Sequence, residues 1–144
     1  EWARSVNPEQ PVSVGLWDWD LTNLNTFQLQ NSDVITYHNY EGFDLHKRVI
    51  KVLKSNGKPL ICTEYMARPR DSKFSNIMPL LKQENVGAIN WGFVSGKTNT
   101  IYAWDTPMPD GSQPKLWFHD IFYKDGKPYQ QDEVDLIKKL NNKK

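Results

Sequence analysis

Leu60-Ile61-Cys62-Thr63-Glu64-Tyr65 is the stretch that decides the fold, because a short apolar run ends there in a carboxylic acid. Burial of a carboxylate costs desolvation energy, so an acid at the end of a buried strand indicates a functional position. The preceding segment has the apolar stripe of an amphipathic helix, and Asn56-Gly57 predicts where that helix ends. This order of helix, turn, apolar strand and acid is typical of an α/β barrel active site.

Further elements can be predicted on both sides of this stretch. Short apolar or β-branched runs bounded by turn residues predict strands over residues 12–17, 34–38, 60–64 and 86–91. Helical periodicity predicts helices over residues 24–29, 43–55, 72–84 and 133–140. We expect Pro79 to kink the third helix and Asn85 to cap it in the left-handed conformation. Between the last strand and the last helix we expect a loop over residues 92–114, an apolar piece over residues 116–122 and a turn at residues 124–127.

The alternation of strands and helices predicts the α/β class, with right-handed βαβ units and a parallel sheet that is buried on both faces. Four such units make half of an eightfold (β/α)8 barrel, also called a TIM barrel. The first eight residues read as the end of a helix followed by a turn, without an initiator methionine. We therefore expect the chain to be part of a larger protein.

Charge and composition exclude several classes of partner. The 144 residues include 18 basic and 17 acidic side chains and carry a formal net charge of +1, so neither nucleic acid nor an anionic membrane is a predicted partner. No apolar run approaches the roughly 18 residues of a membrane span, and the chain shows no signal peptide. Cys62 is the single cysteine, which excludes an internal disulfide and a cysteine-based zinc site. We predict no metal and no cofactor.

Each predicted strand ends in side chains that a packed core would not select. These ends are Trp17-Asp18-Trp19-Asp20, Tyr37-His38-Asn39-Tyr40, Thr63-Glu64-Tyr65 and Asn90-Trp91-Gly92. In a parallel barrel the carboxyl ends of the strands share one face, and that face holds the active site. We therefore expect these four groups to converge.

Ordinary structural roles remain open for single residues at these ends. Glu64 is either a nucleophilic carboxylate or a surface acid paired with Arg68 or Arg70. His38 and Tyr40 lie two residues apart and share a face of an extended segment, where they donate hydrogen bonds or simply pack. Exposed indoles stack on the flat faces of sugars, but Trp17, Trp19 and Trp104 are also consistent with buried rings. We interpret His46 and His119 as packing or surface residues on helical stripes.

Taken together, three of these segments resemble a known family. His38-Asn39-Tyr40, Leu60-Ile61-Cys62-Thr63-Glu64-Tyr65 and Asn90-Trp91-Gly92 look like the sixth, seventh and eighth strands of the clan A glycoside hydrolases. They are most similar to the cellulase-like family 5 and its bacterial relatives, which are often labelled xylanase or cellulase. The resemblance covers nearly the whole chain and implies that residues 1–144 are the C-terminal half of the barrel, with strands five to eight.

The resemblance also implies an activity and a set of site residues. It implies a retaining hydrolase of β-linked sugars in plant-type polysaccharides or oligosaccharides, secreted or periplasmic as a whole protein. Glu64 matches the nucleophile, and His38 and Tyr40 match the His-x-Tyr of strand six. Trp91 matches the tryptophan that floors the subsite of the scissile sugar. The remaining candidates for lining sugar subsites are Trp17, Trp19, Trp104, Arg68 and Lys97.

The chain departs from the family pattern at the general acid/base. That residue is a glutamate preceded by asparagine at the end of strand four, and no such motif occurs before Val12. A retaining mechanism needs two carboxylates about 5 to 5.5 Å apart. We therefore expect the isolated fragment to be inactive. Its predicted partners are a carbohydrate and either the N-terminal half of the barrel or, through exposed sheet edges, a second copy.

Two alternatives belong to other classes. A non-catalytic carbohydrate-binding module would also explain the aromatic content of 12%, but such modules are mostly β-sandwiches without helical stripes. A barrel enzyme of unrelated chemistry is the second alternative, although the sequence lacks a phosphate-binding glycine cluster and metal-ligand spacing.

Overall fold

The strand predicted over residues 60–64 forms the centre of the sheet in a computed structural model that describes residues 2–142. The sheet has the order β1 (Ile35–His38), β2 (Leu60–Glu64) and β3 (Gly87–Ala88), and both pairings are parallel. The register places Ile35 opposite Leu60 and Cys62 opposite Ala88. The predicted α/β class and parallel pairing are therefore confirmed, as a mixed α/β fold with a small three-stranded sheet.

Helices precede, connect and follow the strands in the predicted order. They are α1 (Trp2–Ser5), α2 (Thr22–Asn31), α3 (Phe43–Lys54), α4 (Phe74–Gln83) and α5 (Gln131–Asn141), with a short 3-10 helix over Arg68–Arg70. The predicted stop after α3 is confirmed, since Gly57 adopts a positive φ of 69° and its amide bonds back to the carbonyl of Lys54. Asn85 also has the predicted left-handed conformation, with φ 52°. Helix α4 continues through Pro79.

The two faces of the sheet are covered unequally. Tyr37 and Cys62 are fully buried in a core that they share with apolar side chains of α3 and α4. Thr36, Ile61 and Thr63 alternate with these residues, point to the other face and are only half-buried. The expectation of burial on both faces was wrong, because the helices pack on one face and the opposite face is only partly covered.

The first and fourth predicted strands are shorter than expected. Residues 12–17 contribute a single bridge, in which Leu16 pairs in parallel with Tyr37. Residues 86–91 contribute only Gly87–Ala88, and the chain leaves the sheet after the amide of Ile89 bonds to the carbonyl of Cys62. Both segments lie at the edges of the sheet, where pairing is possible on one side alone.

The segment after β3 forms an irregular layer that closes over the carboxyl end of the sheet. Its apolar piece is largely buried, with Trp117, Phe118 and Ile121 all less than 5% exposed. Isolated bridges join Phe122 to Val94 and to Pro128. This layer carries loop residues toward the strand ends and so shapes the site described below.

The fold also bears on the alternatives. A β-sandwich is not consistent with residues 2–142, which form five α-helices and one small parallel sheet. Among those residues, no helix has the length and apolar character needed to cross a membrane.

Candidate functional site

The parallel pairing of β1 with β2 places His38 beside Glu64. The two residues are register partners, because the register shifts between Tyr37 and His38. The pairing extends one residue further, since the amide of Asn39 donates to the carbonyl of Glu64 at 3.0 Å. Both side chains therefore leave the sheet at the same point, at the carboxyl ends of adjacent strands.

The carboxylate of Glu64 is held through one of its two oxygens. The hydroxyl of Tyr40 donates to Oε2 at 2.9 Å, and Nδ1 of His38 lies 3.3 Å from the same oxygen. Within residues 2–142, Oε1 accepts no hydrogen bond. Burial raises the pKa of the Tyr40 phenol, and its hydrogen bond to Glu64 raises this pKa further, so the phenol is a neutral donor. The geometry fixes the carboxylate and leaves Oε1 available.

A cavity of about 560 Å³ opens onto this carboxylate. Its lining combines four indole rings with polar and charged side chains: Trp17, Trp19, His38, Asn39, Tyr40, Glu41, Glu64, Arg70, Trp91 and Trp104. The predicted nucleophile Glu64 is among them, and so are the predicted binding residues His38, Tyr40, Trp91, Trp17 and Trp104. Trp17, Trp91 and Trp104 are each more than half exposed, so their rings are accessible to a ligand.

Trp104 connects the loop layer to the carboxylate. Its ring packs edge-on against Tyr40, with centroids 4.8 Å apart, and against Phe118 at 4.7 Å. The guanidinium of Arg70 lies over the same ring at 5.3 Å. Because Tyr40 binds Glu64, the position of Trp104 helps to fix the donor that holds the carboxylate.

Arg68 does not line the cavity, contrary to expectation. It is 3% exposed and forms a two-pronged ion pair with Glu133, in which Nε and Nη2 donate to the carboxylate at 2.9 and 2.6 Å. It also donates to the carbonyls of Trp117 and Asp120. Arg68 therefore ties the loop layer to α5. Lys97 is exposed and lies outside the cavity lining.

His119 packs against Tyr40 and Trp104 and so supports the site, a role that the sequence did not indicate. Of the two roles left open for it, it has the packing role, since it is buried, but it lies in the loop layer and not on the predicted helical stripe. Its Nδ1 lies 2.7 Å from the carbonyl of Met66, so Nδ1 carries the proton, and its ring lies 5.5 Å from both Tyr40 and Trp104. Met66 has a positive φ of 73°, two residues after Glu64. Burial lowers the pKa of His119, which keeps the ring neutral.

Glu41 and Arg70 also line the cavity but were not predicted to do so, and Asn39 was predicted there only as part of the end of the strand. Asn39 and Glu41 flank Tyr40, so their proximity follows from the predicted strand end. Asn39 is buried and its side-chain oxygen accepts from the amide of Glu41 at 2.8 Å, while its Nδ2 has no partner within residues 2–142. Asn39 therefore shapes the wall of the cavity from a buried position.

Other depressions lack this combination of groups. One of about 880 Å³ is lined by Lys82 and by side chains of the last helix, without an aromatic ring. Over residues 2–142, no cluster of three or more His, Cys, Asp or Glu side chains could hold a metal ion. Comparison with family models, with curated proteins and with solved structures found no match for the chain.

Proposed function

We propose that this chain is the C-terminal part of the (β/α)8 catalytic domain of a retaining β-glycoside hydrolase, with Glu64 as its nucleophile. The substrate is a plant-type polysaccharide or oligosaccharide, and the whole protein acts outside the cytoplasm, secreted or in the periplasm. The observation that carries the proposal is a carboxylate in a cavity lined by indoles, with one oxygen held by Tyr40 and His38 and the other without a hydrogen bond from residues 2–142.

The lining suits a sugar more than an apolar ligand. Pyranose rings present flat faces of C–H groups that stack on exposed indoles, while their hydroxyls need donors and acceptors around the rim. The exposed rings of Trp17, Trp91 and Trp104 offer the flat stacking surfaces, and exposed polar groups such as Glu41 and Arg70 offer hydrogen-bond partners.

In the proposed mechanism, Oε1 of Glu64 attacks the anomeric carbon while the bond from that carbon to the leaving oxygen breaks. The leaving oxygen takes a proton from a general acid, and the sugar is left as an ester of Glu64. Water then attacks the same carbon, gives its proton back to the acid/base residue and releases Glu64. Each of the two steps inverts the configuration of the anomeric carbon, so the product keeps the configuration of the substrate.

The proposed barrel context rests on the uneven cover of the sheet. In a closed barrel, side chains from all strands fill the interior. Thr36, Ile61 and Thr63 on the partly covered face would be among them. The rest of the barrel would complete this face and bring the general acid/base, and it is the partner that we propose. Association of two copies through the sheet edges is the alternative.

Covalent labelling tests the nucleophile in the chain itself. A fluorinated β-glycoside with dinitrophenolate as leaving group needs no general acid, and its fluorine slows hydrolysis of the ester. We expect mass spectrometry to find one sugar on the peptide that contains Glu64. Glu64→Gln should abolish labelling. Glu41→Gln, which removes a carboxylate from the same cavity, should retain it.

The proposal fails if the wild-type chain is not labelled or if Glu64→Gln is labelled equally well. Unactivated aryl β-glycosides should not be hydrolysed by the chain alone, since they need the acid. Turnover of such substrates would refute the claim that the acid/base lies elsewhere in the domain.

A further inference from the structure

Arg70 is the sole lysine or arginine among the described residues that line the cavity. It ends the 3-10 helix that follows β2, and the chain reverses immediately after it at Asp71, which has a positive φ of 57°. The neighbouring Arg68 is buried in its ion pair with Glu133, whereas the side chain of Arg70 is 44% exposed. The short helix therefore places the guanidinium of Arg68 in the core and that of Arg70 at the cavity.

The guanidinium of Arg70 keeps its hydrogen-bonding capacity. Over residues 2–142 it donates no hydrogen bond, and its ion-pair partner Asp105 lies 3.7 Å away with a side chain that is 69% exposed. That distance exceeds hydrogen-bond length, and solvent screens such an exposed pair strongly. Contact with the face of Trp104 at 5.3 Å holds the guanidinium in place without using its N–H groups.

A chain of contacts through two aromatic rings connects Arg70 to the reacting carboxylate. Arg70 lies over Trp104, Trp104 packs on Tyr40, and Tyr40 binds Glu64. An anionic group beside Glu64 itself would be repelled by the carboxylate. A group bound at Arg70 would therefore belong to a neighbouring sugar or to a branch, and not to the sugar that is attacked.

We propose that the cavity selects a sugar chain that carries an anionic group, a carboxylate or a sulfate ester, and that Arg70 recognises this group. The proposal rests on the proposed function, since it names the class of substrate for the same site. A guanidinium offers a planar fork of N–H donors that matches two oxygens of a carboxylate or sulfate. The bound anion would displace Asp105 from its weak pairing. Neutral sugar residues would still stack on the indoles.

Titration with three oligosaccharides of one length tests this proposal: a neutral one, one with a uronic acid branch and one with a sulfate ester. We expect the anionic chains to bind about tenfold more tightly than the neutral chain at low salt, as charge-assisted hydrogen bonds allow. Higher salt should reduce this preference. The uronic acid and sulfate arms identify which anion is favoured.

Arg70→Gln should remove the preference by weakening the anionic chains about tenfold, with little change for the neutral chain. Arg48→Gln provides the matched control, because Arg48 is exposed on α3 and lies outside the cavity. It should leave all three affinities unchanged. Tryptophan fluorescence of the two variants checks that Trp104 keeps its surroundings.

Equal affinity for neutral and anionic chains would overturn the proposal. So would an equal loss for all three chains in Arg70→Gln, because Arg70 would then act only through Trp104. Labelling of Glu64 separates the proposed role of Arg70 from the proposed function of the site. Labelled Glu64 without a preference for anions refutes the role of Arg70 alone, whereas no labelling and no sugar binding refute the proposed function and this inference together.

Discussion

The hydroxyl of Tyr40 donates a 2.9 Å hydrogen bond to Oε2 of Glu64, the same oxygen that faces Nδ1 of His38 at 3.3 Å. Two side chains from the end of β1 thus orient a carboxylate from the end of β2. The shift in register after Tyr37 makes this possible, because it brings His38 opposite Glu64. The protein's own side chains orient the carboxylate, which is the preorganisation that the proposed nucleophilic role requires.

Replacement of Tyr40 by phenylalanine removes this donor but keeps the ring against Trp104. A hydrogen bond to a charged group is worth about 1.5 to 3 kcal/mol, so we expect the rate of labelling at Glu64 to fall by roughly 10- to 100-fold. The rate is measured by mass spectrometry over time. Tyr102→Phe is the control, since the Tyr102 hydroxyl bonds to Gly111 outside the cavity. An unchanged rate in Tyr40→Phe would show that the Tyr40 hydroxyl does not position the carboxylate of Glu64.

Replacement of Arg68 by methionine should lower the free energy of unfolding, because it leaves the buried carboxylate of Glu133 without its partner. Loss of one member of a buried pair costs about 3 to 5 kcal/mol. Urea unfolding at neutral pH measures this cost. The double variant Arg68→Met with Glu133→Leu should recover much of it.

The control for that experiment is the more exposed ion pair of Lys54 and Glu84, in which Nζ lies 2.6 Å from Oε2. Its side chains are 42% and 26% exposed, so Lys54→Met should cost about 1 kcal/mol or less. Similar losses in Arg68→Met and Lys54→Met would mean that the buried pair does not anchor the loop layer to α5.

The parts of the fold that local patterns encode were predicted well. The bounds of β2 were predicted correctly, and α3 ends one residue before its predicted end, because an apolar stripe and a left-handed glycine are local signals. The strands at residues 12–17 and 86–91 were overpredicted. An apolar run becomes a strand only where a neighbour pairs with it, and at the sheet edges Leu16 and Ala88 find a partner on one side alone.

The candidate site divides in the same way. His38, Tyr40 and Glu64 were predictable because the carboxyl ends of parallel strands meet at one edge. His119 was not, since its place depends on a contact with Met66 across 53 residues of sequence. Arg68 is buried and Arg70 lines the cavity. This difference was not predictable either, because Arg68 is buried through its pair with Glu133, which lies 65 residues away in the sequence. No periodicity reports such contacts.

Stability should decrease as the pH falls from 7 to 5, in part because of His46. Burial lowers the pKa of this histidine from 6.5 to about 4. The unfolded chain therefore binds the proton more tightly, so protonation favours unfolding below pH 6.5. Linkage gives a loss of about 2 kcal/mol over this interval. Urea unfolding at a series of pH values measures the slope.

His46→Gln should flatten that slope, since glutamine does not titrate and retains a polar group near the Tyr37 hydroxyl, which lies 3.2 Å from Nε2. His119 contributes in the same direction, because burial lowers its pKa as well. A slope that is unchanged in His46→Gln would contradict the assignment to His46.

Cys62 should be unreactive toward thiol reagents in the folded chain. Its side chain points from β2 into the core and is fully buried, and burial raises the pKa of its thiol to about 12, so almost no thiolate exists at pH 8. We expect a disulfide reagent to react with one thiol per chain in concentrated urea and far more slowly in buffer. Because Cys62 faces the core two residues before Glu64, the slow rate in buffer measures opening of the strand that carries the carboxylate. A reaction in buffer as fast as that in urea would mean that β2 is not protected, and the preorganised carboxylate would lose its support.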